Sequence, residues 1–306
     1  MTDRIFLRLL RALSSTALLV LAAFIGLLAW NAWPALQASG LSFFTSTDWD
    51  PSSEVFGAGA FIYGTAVSSV LALVIAFPVS VATALCLTEL FPKRVAFFVS
   101  FLVEMLAAIP SVVYGLWGIF VLAPWLRVSL QPGLVQAVAA IPGVSTVLGP
   151  LVSGPPMGVG MLAASLVLAI MVTPTLTALS REVFLSIPRI QREAALALGA
   201  TRSEMLWIAV LKSARSGLGA ALVLAWGRAL GETMAVTMVI GNRAQISASI
   251  FAPAQTLASV LANEFGEASG GLHLSALSAV GLALLLVSVV VQLGARLLIH
   301  RRRGQV

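Results

Sequence analysis

Charge is the scarcest commodity in this 306-residue sequence: only 10% of it is Asp, Glu, Lys or Arg, and 59% is hydrophobic. Soluble domains carry about 25% charged residues, so a water-soluble globular chain is excluded. Cysteine is nearly absent as well. Cys86 stands alone, which excludes an intrachain disulfide and a cysteine-based metal cluster. His273 and His300 are the only histidines, and no His-Glu-x-x-His occurs, which argues against a zinc-dependent membrane protease. There is no Gly-x4-Gly-Lys-Ser/Thr loop either, so the chain has no phosphate cradle with which to hydrolyse ATP unaided.

What remains is apolar sequence, with a mean hydropathy of +1.01. One membrane-crossing helix needs about 20 apolar residues. With loops allowed for, the length holds six such helices and leaves no room for a large soluble domain. Backbone groups in hydrocarbon must bond within their own segment, so the expected fold is an all-α membrane bundle. The uncharged stretches place the spans near residues 12–33, 60–88, 95–126, 157–180, 212–241 and 272–297, within a single permease-like domain covering 1–306. The first follows Arg4, Arg8 and Arg11 but exceeds a usual signal-peptide core and ends in Trp30-Asn31-Ala32-Trp33-Pro34, so it reads as a retained anchor.

The run 128–180 is uncharged and long enough to hide a seventh span. Parity argues against one. With six spans and the N-terminus inside, the cytoplasmic face receives Arg4, Arg8, Arg11, Lys93, Arg94, the six basic residues from Arg181 to Arg215, Arg296, Arg301, Arg302 and Arg303. That is fifteen of the eighteen Lys and Arg, as the positive-inside tendency requires. Pro132-Gly133, Pro142-Gly143, Gly149-Pro150 and Gly154-Pro155-Pro156 also mark 128–156 as an outer-face or re-entrant segment. Asp48, Asp50, Glu54, Glu264 and Glu267 fall in the two other outer loops. The net charge of +6 is therefore a topology signal, and nucleic-acid binding is not implied.

One cytoplasmic loop, 181–211, is long and charged. Within it Ser186-Ile187-Pro188-Arg189 opens, and Gly199 closes, a helix of about ten residues. Ile190, Ala194 and Leu198 share one face, with Ala197 beside them, while Arg189, Arg192 and Glu193 are expected to point elsewhere. A helix this short is unstable alone in water and needs something to pack on. A second helix begins near Thr201 or Ser203.

Ionisable residues inside a span are costly, about 2.5–3.5 kcal/mol on insertion scales, and mark pathways or pairs. Glu104, Arg228 and Glu232 are the candidates, with Glu89 read as an interfacial residue beside Lys93 and Arg94. Arg228 and Glu232 lie four apart and, on one helix, share a face as an ion pair, a substrate contact or both. Gly227 and Gly231 form a small-xxx-small pair that admits another helix. In span three, Pro110 frees a backbone carbonyl for Ser111 or a neighbour to satisfy. Thr173, Thr175 and Thr177 around Pro174 are expected to bond backbone or adjacent helices.

Glu193-Ala194-Ala195-(x3)-Gly199 resembles the Glu-Ala-Ala loop of importer-type ABC permeases, the element that docks on the ATP-hydrolysing subunit. The family's Ile-x-Leu-Pro is represented here by Ala209-Val210-Leu211-Lys212, of which only Leu211 matches. The strings from Glu104 to Gly118 and from Gly227 to Asn242 are similar to the PstC-type permeases of bacterial phosphate importers. That resemblance implies a type I importer permease of the bacterial inner membrane, with both termini cytoplasmic. It implies a second permease (PstA type), two ATPases (PstB type) that carry Mg-ATP, and an extracytoplasmic phosphate-binding protein (PstS type), with no cofactor on this chain. The expected pathway residues are Arg228, Glu232, Glu104, Ser111, Tyr114 and Thr233, and the expected coupling residues are Arg189, Glu193, Ala194, Ala195, Leu198 and Gly199. Molybdate, sulfate and phosphonate permeases are the nearest alternatives, and an ion-coupled secondary transporter is the alternative class.

Overall fold

The computed structural model describes residues 2–141, 143–268 and 270–303, with the side chains of 2–5, 8, 144 and 298–303 outside that description. Pro142 and the side chains of Arg4, Arg8, His300, Arg301, Arg302 and Arg303 therefore lie outside the described residues. The chain opens with α1 (Thr2–Ser39). A two-residue antiparallel ribbon of β1 (Trp49–Asp50) and β2 (Val55–Phe56) follows, with Trp49 opposite Phe56. Helix α2 (Gly59–Leu85) ends in a π-helical turn, Cys86–Leu90. Then come α3 (Lys93–Ala107) and a helical run composed of α4 (Ser111–Trp117), α5 (Ala123–Trp125) and α6 (Gln131–Ala140) joined by π-turns. The five-residue α7 (Val144–Leu148) leads to α8 (Met161–Leu185), α9 (Arg189–Ala197) and α10 (Arg202–Met205). A π-turn joins α10 to α11 (Lys212–Leu230), and α12 (Met234–Val239), α13 (Leu257–Glu264) and α14 (Gly271–Arg303) complete the chain.

Six helical stretches among the described residues are long and apolar enough to cross a membrane: Leu9–Phe44, Gly59–Leu90, Ser111–Ala140, Met161–Leu185, Arg202–Leu230 and Gly271–Leu297. The segment 141–160 holds no such helix. Small residues line the tightest helix pairs. Ala72 and Ala76 of α2 and Ala163, Ala164 and Ala169 of α8 belong to one buried cluster, and Ala32 and Ala35 of α1 meet Ala276, Ala279 and Ala283 of α14 in another. Close backbone approach supplies the van der Waals contact that holds helices together where lipid is as apolar as the side chains.

The prolines do not act alike. Pro34 was expected beyond the first span but lies inside α1, which continues to Ser39. The next residue, Ala35, is buried, and its N–H donates to Ser275 Oγ of α14 at 2.9 Å, so the neighbouring span satisfies a backbone group beside the proline. Pro132 was expected to break the outer segment, yet the helix runs through it. The π-turn Leu126–Leu130 immediately precedes Gln131-Pro132, and the π-turn Gly118–Leu122 precedes Ala123-Pro124. A widened turn lets a residue without an N–H enter a helix with less strain.

Pro110, by contrast, breaks span three. The expected single helix over 95–126 is two: α3 stops at Ala107, Pro110 is extended (φ −58°, ψ 140°), and helix resumes at Ser111. Span five also differs from the expected 212–241. Its helix begins at Arg202 and stops at Leu230, and after 231–233 a separate short α12 follows.

Candidate functional site

Helix α9 begins after Pro188, whose extended backbone suits the residue before a first turn, and ends before Gly199 at φ +87°, a left-handed stop that favours glycine. Ser186 was expected to cap it. Instead the Ser186 hydroxyl donates to the Val183 carbonyl at 2.7 Å and belongs to the end of α8. Thr201 caps the following helix through a reciprocal box with Glu204: Glu204 N–H donates to Thr201 Oγ1, and the Thr201 N–H donates to Glu204 Oε2 at 2.8 Å.

The two faces of α9 are inverted relative to an ordinary surface helix. Ile190 is 71% and Leu198 90% exposed, and Arg189, Glu193, Ala194 and Gly199 are exposed with them. The half-buried residues are Arg192 and Ala195. Ala195 packs against the cluster of Phe184, Ile187, Met205 and Val210. The Arg192 guanidinium donates to Glu89 Oε1 from Nε at 3.0 Å and from Nη2 at 2.7 Å, to the Ile187 carbonyl at 2.6 Å and to the Phe184 carbonyl at 2.9 Å. Glu89, read from sequence as an interfacial residue, is thus the partner of Arg192. The sequence held one signal of this: a carboxylate at the cytoplasmic end of span two.

The second group surrounds the two helix breaks. Glu104 is exposed on α3. Leu106 lies four residues before Pro110, and its carbonyl loses its i+4 donor, keeping a long bond from the Ile109 N–H at 3.4 Å. Buried Tyr114 satisfies it, its hydroxyl donating to the Leu106 carbonyl at 2.8 Å. Ser111 opens α4 half-buried.

Arg228 stands exposed in the last turn of α11, where a cation is favoured by the C-terminal end of the helix dipole. Glu232 does not continue that helix, so the expected i, i+4 arrangement on one helix is absent. Its carboxylate turns forward to accept from the Ala235 N–H at 3.4 Å, and the Thr233 hydroxyl donates to the Gly231 carbonyl at 3.2 Å. Among the described residues no ion pair joins Glu104, Arg228 and Glu232, and the Arg228 guanidinium has no hydrogen bond. A forked, permanently charged donor set in the transmembrane region with nothing to donate to is suited to a planar or tetrahedral oxyanion.

Packing explains why the helix breaks there. A Cβ at Gly115 would lie 2.6 Å from Met238 Sδ, and one at Gly118 would lie 2.7 Å from Val239 Cγ1. These glycines of span three thus let α12 press closely onto α4, which brings the two strings quoted above into contact. Of the expected small pair, Gly227 faces a neighbouring helix, with Gln292 Nε2 of α14 at 3.0 Å from a Cβ placed there, whereas Gly231 has no such neighbour and serves as the helix end. Thr173 bonds its own helix, donating to the Ala169 carbonyl at 2.7 Å, while Thr177 Oγ1 is buried without a partner.

Residues 76–304 match the family model described as "Binding-protein-dependent transport system inner membrane component". The phosphate transport system permease protein PstC of Mesorhizobium japonicum is 42% identical over 98% of this chain and 91% of its own length. Its namesake in Pasteurella multocida is 44% identical over 92% of this chain and 87% of its own. A probable PstC of Methanocaldococcus jannaschii is 36% identical over 88% and 84%. Among solved structures, a chain of the MetNI methionine ABC transporter in an inward-facing conformation superposes with a TM-score of 0.54 at 19% identity, covering 80% of this chain and 94% of that one. The likeness establishes the type I importer permease fold. Six apolar spans, the loop helix between spans four and five with its exposed apolar face and the family match agree: the chain belongs to the family of binding-protein-dependent transport system inner membrane components, as a multi-pass permease.

Proposed function

We propose that this chain is one of two permease subunits of an ATP-driven importer of inorganic phosphate. The observation that carries the substrate is the unpartnered Arg228 guanidinium at the break after α11, joined to the near full-length similarity to permeases named for phosphate transport. The gathering of fifteen of the eighteen Lys and Arg on one side of the six spans supports cytoplasmic termini. The outward face of α9, with Ile190, Ala194 and Leu198, docks on an ATPase subunit of PstB type, which binds Mg-ATP. A PstA-type permease completes the path, and a PstS-type binding protein delivers phosphate to the outer loops.

ATP-driven closure of the two ATPases displaces α9 and tilts span five against the second permease, exposing the site to each side of the membrane in turn. Phosphate passes Arg228, with Glu104, Glu232, Ser111, Tyr114 and Thr233 around the breaks. Glu232 keeps the local charge from becoming so positive that the anion is retained. Reconstitution of the assembled complex into vesicles tests this reading. Uptake of radiolabelled phosphate should require ATP and be abolished by Arg228→Gln while the subunits still copurify. Normal uptake by that variant removes Arg228 from the path. Uptake without an ATPase would favour an ion-coupled carrier, and preference for molybdate or sulfate would reassign the anion.

A further inference from the structure

We propose that Arg192 and Glu89 form the rigid linkage through which movement of α9 enters spans two and four. The proposal rests on the docking of α9 on an ATPase, stated above. A push on the exposed side of α9 reaches the membrane only through whatever fastens its other side. On that side stand two residues, Arg192 and Ala195, and alanine supplies little more than a methyl contact. Among the described residues Arg192 is the only polar side chain of α9 that bonds to the spans.

Its four hydrogen bonds reach two spans. The Phe184 carbonyl lies in the last turn of α8 and the Ile187 carbonyl just beyond it, so the guanidinium closes that helix end as a C-terminal cation does. Glu89 lies in the π-turn that ends span two. The ion pair is largely shielded, with side-chain exposures of 16% for Arg192 and 11% for Glu89. A shielded, multiply hydrogen-bonded arginine is geometrically stiff, because its planar fork cannot rotate without losing several bonds at once.

The other end of α9 is different. Gly199, at φ +87° with nothing within 4 Å of a Cβ placed there, separates α9 from the Thr201 cap of the helix that enters span five. The arrangement is a hydrogen-bonded clamp toward spans two and four, and toward span five an apolar contact of Ala195 with Met205 and Val210 beside a glycine joint. Arg192 and Glu89 are positioning residues: neither is placed on the phosphate path.

The test uses the whole importer in vesicles and measures phosphate moved per ATP hydrolysed, alongside copurification of the ATPase. Removing one charge orphans the other and endangers folding, so the first variant is the neutral pair Glu89→Gln with Arg192→Gln. It should retain the ATPase, because Ile190 and Leu198 are untouched, and its phosphate per ATP should fall severalfold. The second carries Glu89→Cys and Arg192→Cys in a Cys86→Ser background, joined by bifunctional methanethiosulfonates of graded length. Cross-linking should raise phosphate per ATP, and reduction of the same sample should lower it again. A wild-type ratio in the neutral pair, or equal ratios in the cross-linked and reduced samples, overturns the linkage. A Leu198→Asp complex that keeps its ATPase would instead refute the docking of α9, so the two failures are distinguishable.

Discussion

Arg192 and Arg228 stand at two places where the chain changes direction, and the protein treats them oppositely. In the loop between spans four and five, Arg192 directs its donors to a carboxylate and two carbonyls. At the break after α11, Arg228 has no partner among the described residues. The contrast separates two uses of one side chain. A guanidinium with four of its five N–H donors committed fixes geometry, and one whose donors are open binds something that arrives.

The comparison is sharpest at position 228. Arg228→Lys keeps the charge but loses the fork of parallel donors, and phosphate uptake by the reconstituted complex should fall to near background with assembly intact. Glu232→Gln should cause a smaller loss of uptake, through slower release of phosphate from Arg228, with assembly intact. With no ion pair to break, the roughly 3–5 kcal/mol penalty for orphaning a buried charge does not apply. Equal losses in both variants would mean that the pair forms in the working complex, erasing the distinction between the two arginines.

The next largest effect is expected on the open face of α9. Leu198→Asp removes a side chain whose burial in a docking groove contributes about 1.5–3 kcal/mol, so ATPase copurification should weaken at least about tenfold. Binding assays in detergent read this directly. Unchanged binding would show that the exposed leucine is incidental.

A smaller effect separates the two breaks. Tyr114→Phe leaves the Leu106 carbonyl with only the 3.4 Å bond from the Ile109 N–H, at a cost of about 1 kcal/mol, lowering the apparent Tm by roughly 2–4 °C. Thermal unfolding of the solubilised complex measures it. An unchanged Tm would mean that another group satisfies the carbonyl once the hydroxyl is gone.

The smallest effect lies at the outer ribbon. Hydrogen bonds from the Ser52 and Ser53 hydroxyls and the Ser52 N–H lower the Asp50 pKa from 3.8 to about 2. Because the folded value is depressed, the contribution of this turn to stability is present above pH 3.8 and lost as pH falls through about 2. The difference in tryptophan fluorescence between wild type and Asp50→Asn should shrink over that interval, through the adjacent Trp49. A difference that stays constant would show that the turn holds without the charge.

Sequence reasoning reached the repeated elements more readily than the interruptions. Six apolar stretches, the stop at Gly199 and the cap near Thr201 are local properties, visible in hydropathy, backbone freedom and side-chain type. The break at 231–233 is not, since Gly231-Glu232-Thr233 gives no stronger stop signal than Gly227-Arg228 one turn earlier. The helix ends where α12 must turn to press on Gly115 and Gly118, two positions in a different span. Pro110 announced a disturbance, but whether it kinks or breaks depends on Tyr114 being placed to take over the freed carbonyl. Arg192 does lie off the Ile190, Ala194 and Leu198 face as its spacing implies, but its burial was not legible for a similar reason. The partner that makes its burial tolerable is Glu89, 103 residues earlier in the chain.

The sequence by itself determined that this protein lives in a membrane, how many times it crosses, where its long charged loop lies and which few charges need an explanation. These follow from the cost of placing charge and unpaired backbone in hydrocarbon, which is paid residue by residue. Only the tertiary structure decided which of those charges are compensated, because a buried ion is tolerated through partners brought from distant segments. It left Arg192 locked and Arg228 open.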